Sequence, residues 1–319
     1  MVTRRTTLAF FAAGTALALA GASRADTPKS LRIGFQKGGV LALAKANGAI
    51  ETALKDRGIA VEWNEFTSGP PLLEALGAGA IDFGSTGDIP PLFAQAAGGD
   101  LLYLAATKGA VDGSAILVKA DSPIKTLADL KGKNVAFKRG SSAHNFILKA
   151  LQSVGLSLDD IASFDLGPPD AAAAFAGGQI DAWTIWDPYY AVQAQNADTR
   201  VLATTEGISV SFGYYLGNGA FTRANPKVIA DALTALKKTG DDAQAHLDDT
   251  AKAISALIGV PEPIEKIVLT RKGADLGSIL PLDDKVLAYQ QGLADDFFKL
   301  KIVPKQLDIK SAFWTASDL

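Results

Sequence analysis

Two short stretches hold the side chains best suited to chemistry. The first, "GSTGDIPP", runs from Gly84 to Pro91 and sets Ser85, Thr86, Gly87 and Asp88 in succession. The second, "KRGSSAH", runs from Lys138 to His144 and places Ser141 and Ser142 just ahead of His144. Each follows an apolar run that reads as a strand, Ile81 to Phe83 in one case and the start of "KNVAFKRGSSAHNFILKAL" (133–151) in the other, and each leads into a helical pattern. Hydroxyls, a glycine that lets the backbone come close, and the partnerless N–H groups of a helix's first turn together form a donating surface for an anion. Ordinary helix capping, by Asp88 in one stretch and by Ser141 or Ser142 in the other, accounts for the same residues without any ligand. On these stretches alone both readings stand.

The rest of the inventory narrows the chemistry. The 319 residues include no cysteine and two histidines, His144 and His246. Thiolate metal sites and cysteine nucleophiles are therefore excluded, and a His-rich metal centre cannot be assembled. No Ser-His-Asp arrangement or carboxylate pair has evident spacing, so no cofactor and no catalytic residue is expected. The net charge of −3 and the lack of a basic stripe exclude a nucleic-acid partner.

The N-terminus has the form of an export signal. "MVTRR" is basic, Leu8 to Ala22 is apolar and small, and "SRA" ending at Ala25 fits a cleavage site. The apolar stretch is short of the roughly 20 residues that span a bilayer, so a signal at 1–25 is expected rather than a retained anchor. The Arg4–Arg5 pair leaves the twin-arginine route open beside the general one. Loss of residues 1–25 removes three arginines and no acid, leaving 28 basic against 34 acidic residues, a mature charge of −6. An exported chain without disulfides must be stabilised by a large core.

The elements that position the two stretches alternate. "LRIGF" (31–35) reads as a strand, Val40 to Asp56 as a helix, "IAVEWNEF" (59–66) as a strand and Pro71 to Gly77 as a helix. Such alternation predicts an α/β fold with mostly parallel sheets. An internal echo, "EALGAGAIDFGSTGDIPPLFAQAA" (74–97) against "AAFAGGQIDAWTIWDPYYAVQAQ" (173–195), predicts two lobes of one design. In open α/β sheets ligands collect at the carboxyl ends of strands, and both stretches sit at such ends.

From about Leu31 to the C-terminus the chain resembles the aliphatic-sulfonate-binding proteins, extracytoplasmic receptors of ABC importers. The resemblance is carried by "IGFQKG", "GSTGDIPPLFAQAAG", "SPIKTLADLKGKNVAFKRGSSAHN", "IDAWTIWDPYY" and "VPKQLDI". It implies a two-lobed type-2 periplasmic binding protein fold with two crossover strands as hinge. Lobe 1 would comprise residues 27–113 and 214–319, and lobe 2, inserted, residues 114–213, with crossovers near "SAILVK" (114–119) and "FGYYLG" (212–217). It also implies a periplasmic monomer that binds a small alkanesulfonate by lobe closure, delivers it to an ABC permease in the inner membrane, and does no chemistry on it. The alternatives are another ligand on the same fold (taurine, a sulfate ester, nitrate or a thiamine precursor), a sensor, and an enzyme built on that fold.

A sulfonate is a permanent monoanion with three equivalent oxygens, so its site needs donors and no acceptor. Charge-assisted bonds contribute roughly 1.5–3 kcal/mol each, so four or five outweigh the desolvation of one monoanion. The expected ligand residues are Gln36, Ser85, Thr86 and Gly87 in the first lobe and Ser141, Ser142 and His144 in the second. Lys37, Lys138, Arg139 and His246 read as surface groups, and Asp88 and Asp187 as helix caps, Asp88 turned away from the anion; Asp88 as a repellent of dianions is the other reading. Trp183 and Trp186 are candidates for the wall of a tail pocket, Trp186 ahead of Trp183, and Tyr214, adjacent to Tyr215, is the candidate from the crossover.

Overall fold

The computed structural model describes residues 28–314. The export signal expected at 1–25 lies outside the described residues. Ten strands form two sheets of five. The first sheet contains β1 (Ser30–Phe35), β2 (Ala60–Glu65), β3 (Phe83–Gly87), β4 (Leu101–Lys108) and β10 (Phe212–Asn218). The second contains β5 (Ser114–Lys119), β6 (Asn134–Phe137), β7 (Ala162–Asp165), β8 (Ala182–Trp186) and β9 (Thr199–Thr204).

The strand orders are β2-β1-β3-β10-β4 and β7-β6-β8-β5-β9. They are the same plan, because β1, β2, β3 correspond to β6, β7, β8, and in each sheet the fourth strand runs against its neighbours. The sequence echo has a matching basis. Asp82 donates its N–H to the Arg32 carbonyl at 2.7 Å and Asp181 donates its N–H to the Asn134 carbonyl at 2.8 Å. Each aspartate thus ties the start of the third strand to the second strand of its sheet, β1 or β6.

In the first lobe the helices are α1 (Gly39–Asn47), α2 (Ala49–Leu54), α3 (Gly69–Gly77) and α4 (Pro90–Ala96). The second lobe supplies α5 (Ser142–Gln152), α6 (Pro168–Ala176) and α7 (Tyr189–Gln193). The chain then returns with α8 (Gly219–Ala224), α9 (Pro226–Ala245), α10 (Leu247–Ile258), α11 (Glu262–Leu269) and α12 (Asp284–Lys299). None of the described helices is long and apolar enough to cross a membrane. The single helix expected from Val40 to Asp56 is two, because Gly48 takes a left-handed φ of 67° and its N–H closes α1 on the Ala44 carbonyl.

The chain crosses between sheets at 109–113 and 205–211, and the two crossings touch through Gly109 N–H donating to Ser211 C=O at 3.1 Å. "SAILVK" and "FGYYLG", expected to be the crossovers, are instead β5 and β10, the antiparallel strands that receive the chain on either side. Ser85, Thr86 and Gly87 also depart from expectation, since they form the end of β3 rather than a loop. They pair with Tyr215, Tyr214 and Gly213 of β10, a partner too distant in sequence for local reading to find.

Two expected cleft residues lie in the cores. Adjacent strand residues face opposite sides, and both sides of β10 are covered. Tyr214 has no exposed surface and packs edge-on against Tyr103, with centroids 5.0 Å apart, while Tyr215 stacks on Phe83 at 5.9 Å. Trp183, 2% exposed, sits in the middle of β8 against Phe175 at 6.2 Å. Truncating a buried indole removes transfer energy and leaves a cavity, so Trp183→Ala is expected to cost about 3–5 kcal/mol in urea denaturation.

Candidate functional site

The carboxyl ends of β1, β3 and β8 meet the start of α5 across a cleft between the sheets, with a cavity of about 290 Å³. Seven of the expected residues line it: Gln36, Ser85, Thr86 and Gly87 from the first lobe, and Ser141, Ser142 and Trp186 from the second. Trp186, three residues beyond Trp183 in the same strand, faces the other way and is half-buried in the wall. The floor comes from the crossings and the strands beside them: Thr107, Gly109, Ser114, Ser211 and Gly213. Sequence reasoning passed over these, although their signal was available in two Gly- and Ser-containing segments placed next to the expected hinge strands. Among the described residues no acidic side chain lines the cavity.

The donors are unequal between lobes. At α5 the cap residue Ser141 does not cap: its hydroxyl turns back and donates to the Lys138 carbonyl at 2.7 Å. His144 donates its N–H to the Ser141 carbonyl at 3.0 Å, so the N–H groups of Ser142 and Ala143 are the first-turn donors left beside the cleft. At α4, Pro90 and Pro91 occupy the first helical positions and bring no N–H. The symmetric grip by two helix starts expected from sequence is thus one-sided, and the first lobe contributes strand-end backbone and side chains instead. Gln36 donates Nε2–H to the Ser85 carbonyl at 3.1 Å, and Thr86 donates its hydroxyl to the Gly87 carbonyl at 2.9 Å. Lys37, expected as a surface charge, lines the cleft and donates Nζ–H to the Ile258 carbonyl at 3.1 Å. A cation is favoured there, at the negative end of α10.

Asp88 is not a helix cap turned aside. The cap position of α4 is Ile89, which has no side-chain cap bond. Asp88 is fully buried and crosses to the other lobe, where Ser142 donates its hydroxyl to Oδ1 at 2.7 Å. Tyr289 Oη lies 2.5 Å from Asp88 Oδ2 and 2.7 Å from the Val210 carbonyl. A phenol has one proton. Tyr289 therefore shares its one proton between the Asp88 carboxyl and the Val210 carbonyl. Burial pushes this carboxyl up, against the lowering influence of the Tyr289 and Ser142 bonds. The carboxyl is held by these partners outside the cavity lining.

His144 is likewise not a ligand group. It is 3% exposed, accepts the Gly140 N–H at Nδ1 (3.3 Å), and packs among Phe137 and Phe297 at 5.1 and 5.5 Å. Burial, assisted by the Arg139 charge, pushes it down to about 4, so it is neutral and buttresses the loop before α5. Lys138 pairs with Asp165 at 2.9 Å outside the cleft, and His246 is exposed, both as expected of surface groups. Asp187 keeps part of its expected cap role by accepting the Ala191 N–H at 3.0 Å, but its main partner is Arg271, whose Nε donates to Oδ2 at 2.8 Å. Behind that pair lies Glu265, buried, with neither oxygen hydrogen-bonded to protein; burial and then the Asp187 charge push it up to about 7.

A family model described as NMT1/THI5 like matches residues 54–250. The chain belongs to the NMT1/THI5-like family. A protein of Escherichia coli K12 named for binding aliphatic sulfonates is 39% identical over 295 residues, 92% of this chain and 91% of its own length. Among solved structures, the alkanesulfonate-binding protein SsuA of Xanthomonas axonopodis pv. citri, bound to MOPS, is 38% identical with a TM-score of 0.85, covering 91% of this chain and 99% of that one. The periplasmic aliphatic sulphonate binding protein SsuA of E. coli is 39% identical with a TM-score of 0.77, covering 90% and 98%. The expected fold therefore holds: this is the two-lobed α/β architecture of the periplasmic binding proteins.

Two outcomes follow. A Cβ added at Gly87 would lie 2.0 Å from Ser142 Oγ, so the lobes meet only because that position is bare. Gly87→Ala is expected to cost about 1–3 kcal/mol of thermal stability through overpacking, with most of it regained in Gly87→Ala/Ser142→Gly. For His144, a folded pKa of about 4 against an ordinary value of 6.5 means that the unfolded chain binds the extra proton between those values. Stability from this group is thus intact above pH 6.5 and falls, by on the order of 3 kcal/mol, as pH drops to 4. Glu265 acts in the opposite sense as pH rises toward 7, so the His144 contribution is read as the difference between wild type and His144→Phe in urea midpoints across pH 4–8.

Proposed function

We propose that this chain is an extracytoplasmic receptor that binds aliphatic sulfonates by lobe closure and delivers them to an ABC importer. The observation that carries the reading is a cleft lined by polar groups of both lobes and by Lys37, with an uncapped helix start and, among the described residues, no acidic side chain in its lining. Such a site returns hydrogen bonds to an anion's oxygens without offering an acceptor that a fully ionised head could not use. SsuA of Xanthomonas axonopodis pv. citri, bound to MOPS, carries a sulfonated molecule, which supports the same head-group chemistry here. The Ser85 hydroxyl and the open first-turn N–H groups of Ser142 and Ala143 hold the head beside Gly87. Thr86, Ser141 and Ser142 commit their hydroxyl protons to Gly87, Lys138 and Asp88 and so fix the strand end and the helix start. Gln36 orders the β3 end, and Trp186 forms an apolar wall for the tail. The receptor works as a periplasmic monomer against an inner-membrane permease and leaves its cargo unaltered.

Residues 28–108 and 212–314 move as one lobe and 114–204 as the other, with the crossings at 109–113 and 205–211 between them, so the boundary expected at 213/214 falls before β10. The ligand bridges both, so it binds the closed arrangement better and shifts the population toward it. A second reading, an aminosulfonate cargo, draws on Asp275, which lines an adjoining cavity that shares Ser85, Thr86 and Thr107 with the first.

Thermal stability and Trp186 fluorescence, followed with ethanesulfonate, longer alkanesulfonates, taurine, sulfate and nitrate, test the proposal. At a ligand concentration 100 times Kd the stabilisation is about 2.7 kcal/mol. Alkanesulfonates are expected to raise the melting temperature and sulfate and nitrate to leave it unmoved. Silence toward every sulfonate overturns the reading, and a preference for taurine that Asp275→Asn abolishes replaces it with the second.

A further inference from the structure

Asp88 and Asp187 stand at the same place in the internal repeat. Each is the residue directly after the third strand of its sheet, β3 or β8, and each follows a residue of the cleft wall, Gly87 or Trp186. Each reaches out of its own lobe. Asp88 of the first lobe accepts from Ser142 of the second, and Asp187 of the second lobe accepts from Arg271 of the first. The reach is therefore reciprocal.

We propose that Asp88 and Asp187 are paired cross-lobe clasps, positioning residues that set how fully the lobes close over a bound ligand. The inference rests on the lobe-closure reading above and adds the contacts that govern it. Other cross-lobe pairs exist, such as Lys149 with Asp296 at 2.8 Å, but their side chains are 31% and 50% exposed. Exposed pairs of that kind contribute little. Asp187 and Arg271 are 9% and 11% exposed, and Asp88 has no exposed surface. Groups this well buried are costly to leave unpartnered, so separating the lobes either rehydrates them or strands them.

Both clasps also have fixed backing. Arg271 lies over the Tyr190 ring, 4.1 Å from its centroid, and Asp112 of the first crossing approaches its Nη1 at 3.7 Å. Gln290 donates Nε2–H to the Asp88 carbonyl at 2.7 Å, holding the turn that carries the acid. Because Gly87 and Trp186 are covalent neighbours of the clasping residues, engaging the clasps brings both walls of the cleft to their binding positions. The two clasps differ in kind, one a hydrogen-bonded acid and the other an ion pair.

The absence of cysteine permits a clean test. Exposed Gln152 on α5 and Lys299 on α12 flank the Lys149–Asp296 contact, so spin labels at Gln152→Cys and Lys299→Cys read the separation of the lobes. Asp88→Ala, Asp187→Ala and Arg271→Ala are each expected to shift the label distances toward longer values with and without ethanesulfonate. They should also raise its apparent Kd about tenfold, mainly through faster dissociation. Asp88→Asn, which keeps an oxygen to accept from Ser142, should restore near-native distances. If an alanine variant fails to fold, Asp187→Asn and Arg271→Lys provide the same comparison. Distances and dissociation that stay native while the melting temperature falls overturn the proposal and reduce both residues to structural supports. Because distances are measured without ligand too, a wild type that binds no sulfonate defeats the functional reading while the clasps are still judged.

Discussion

The structure is organised around taking a charged group out of water between two rigid bodies. An anion enclosed between lobes loses its hydration and must regain it from donors placed beforehand, because donors that had to be ordered on binding would cost entropy. The first lobe places its donors at the end of a sheet strand and the second at the end of a helix. The unequal arrangement has a local cause: the two prolines that start α4 remove the N–H groups that the helix start in the second lobe retains.

The same constraint governs the carboxylates near the cleft. A carboxylate beside an anion would oppose binding, yet two aspartates lie within one residue of the cleft wall. Each is turned from the cleft and given a partner by different means. Asp88 is buried and accepts from the Ser142 and Tyr289 hydroxyls, and Asp187 is matched by the Arg271 guanidinium. The cleft thus remains free of negative side-chain charge although the chain as a whole is acidic.

Duplication of one plan explains how the site comes to lie between lobes. Two sheets with the same strand order each present a third-strand end, and the antiparallel fourth strands, β5 and β10, receive the chain as it crosses. The crossings contribute small residues to the floor of the cleft, where bulk would hold the lobes apart. Gly87 shows how close the tolerance is, since the space of a single methyl group is already occupied by Ser142.

The sequence by itself determined the alternation of strands and helices, the internal echo, the two donor stretches and the exclusion of thiol and histidine metal chemistry. These features are local: periodicity, helix starts and residue inventory are written within a few residues of each other. Ser85, Thr86, Gly87, Ser141 and Ser142 could be named as candidates for that reason, and all five line the cleft. Tertiary structure alone decided which side of each strand was covered, and so moved Trp183, Tyr214 and His144 from candidate ligand groups into packed interiors. It also decided that Lys37 turns to the end of α10, that Asp88 and Asp187 reach across lobes, and that Thr107, Ser114 and Ser211 meet in the floor. These partnerships join residues 54 to 221 positions apart, and local spacing carries no information about which distant surface will arrive to cover a side chain.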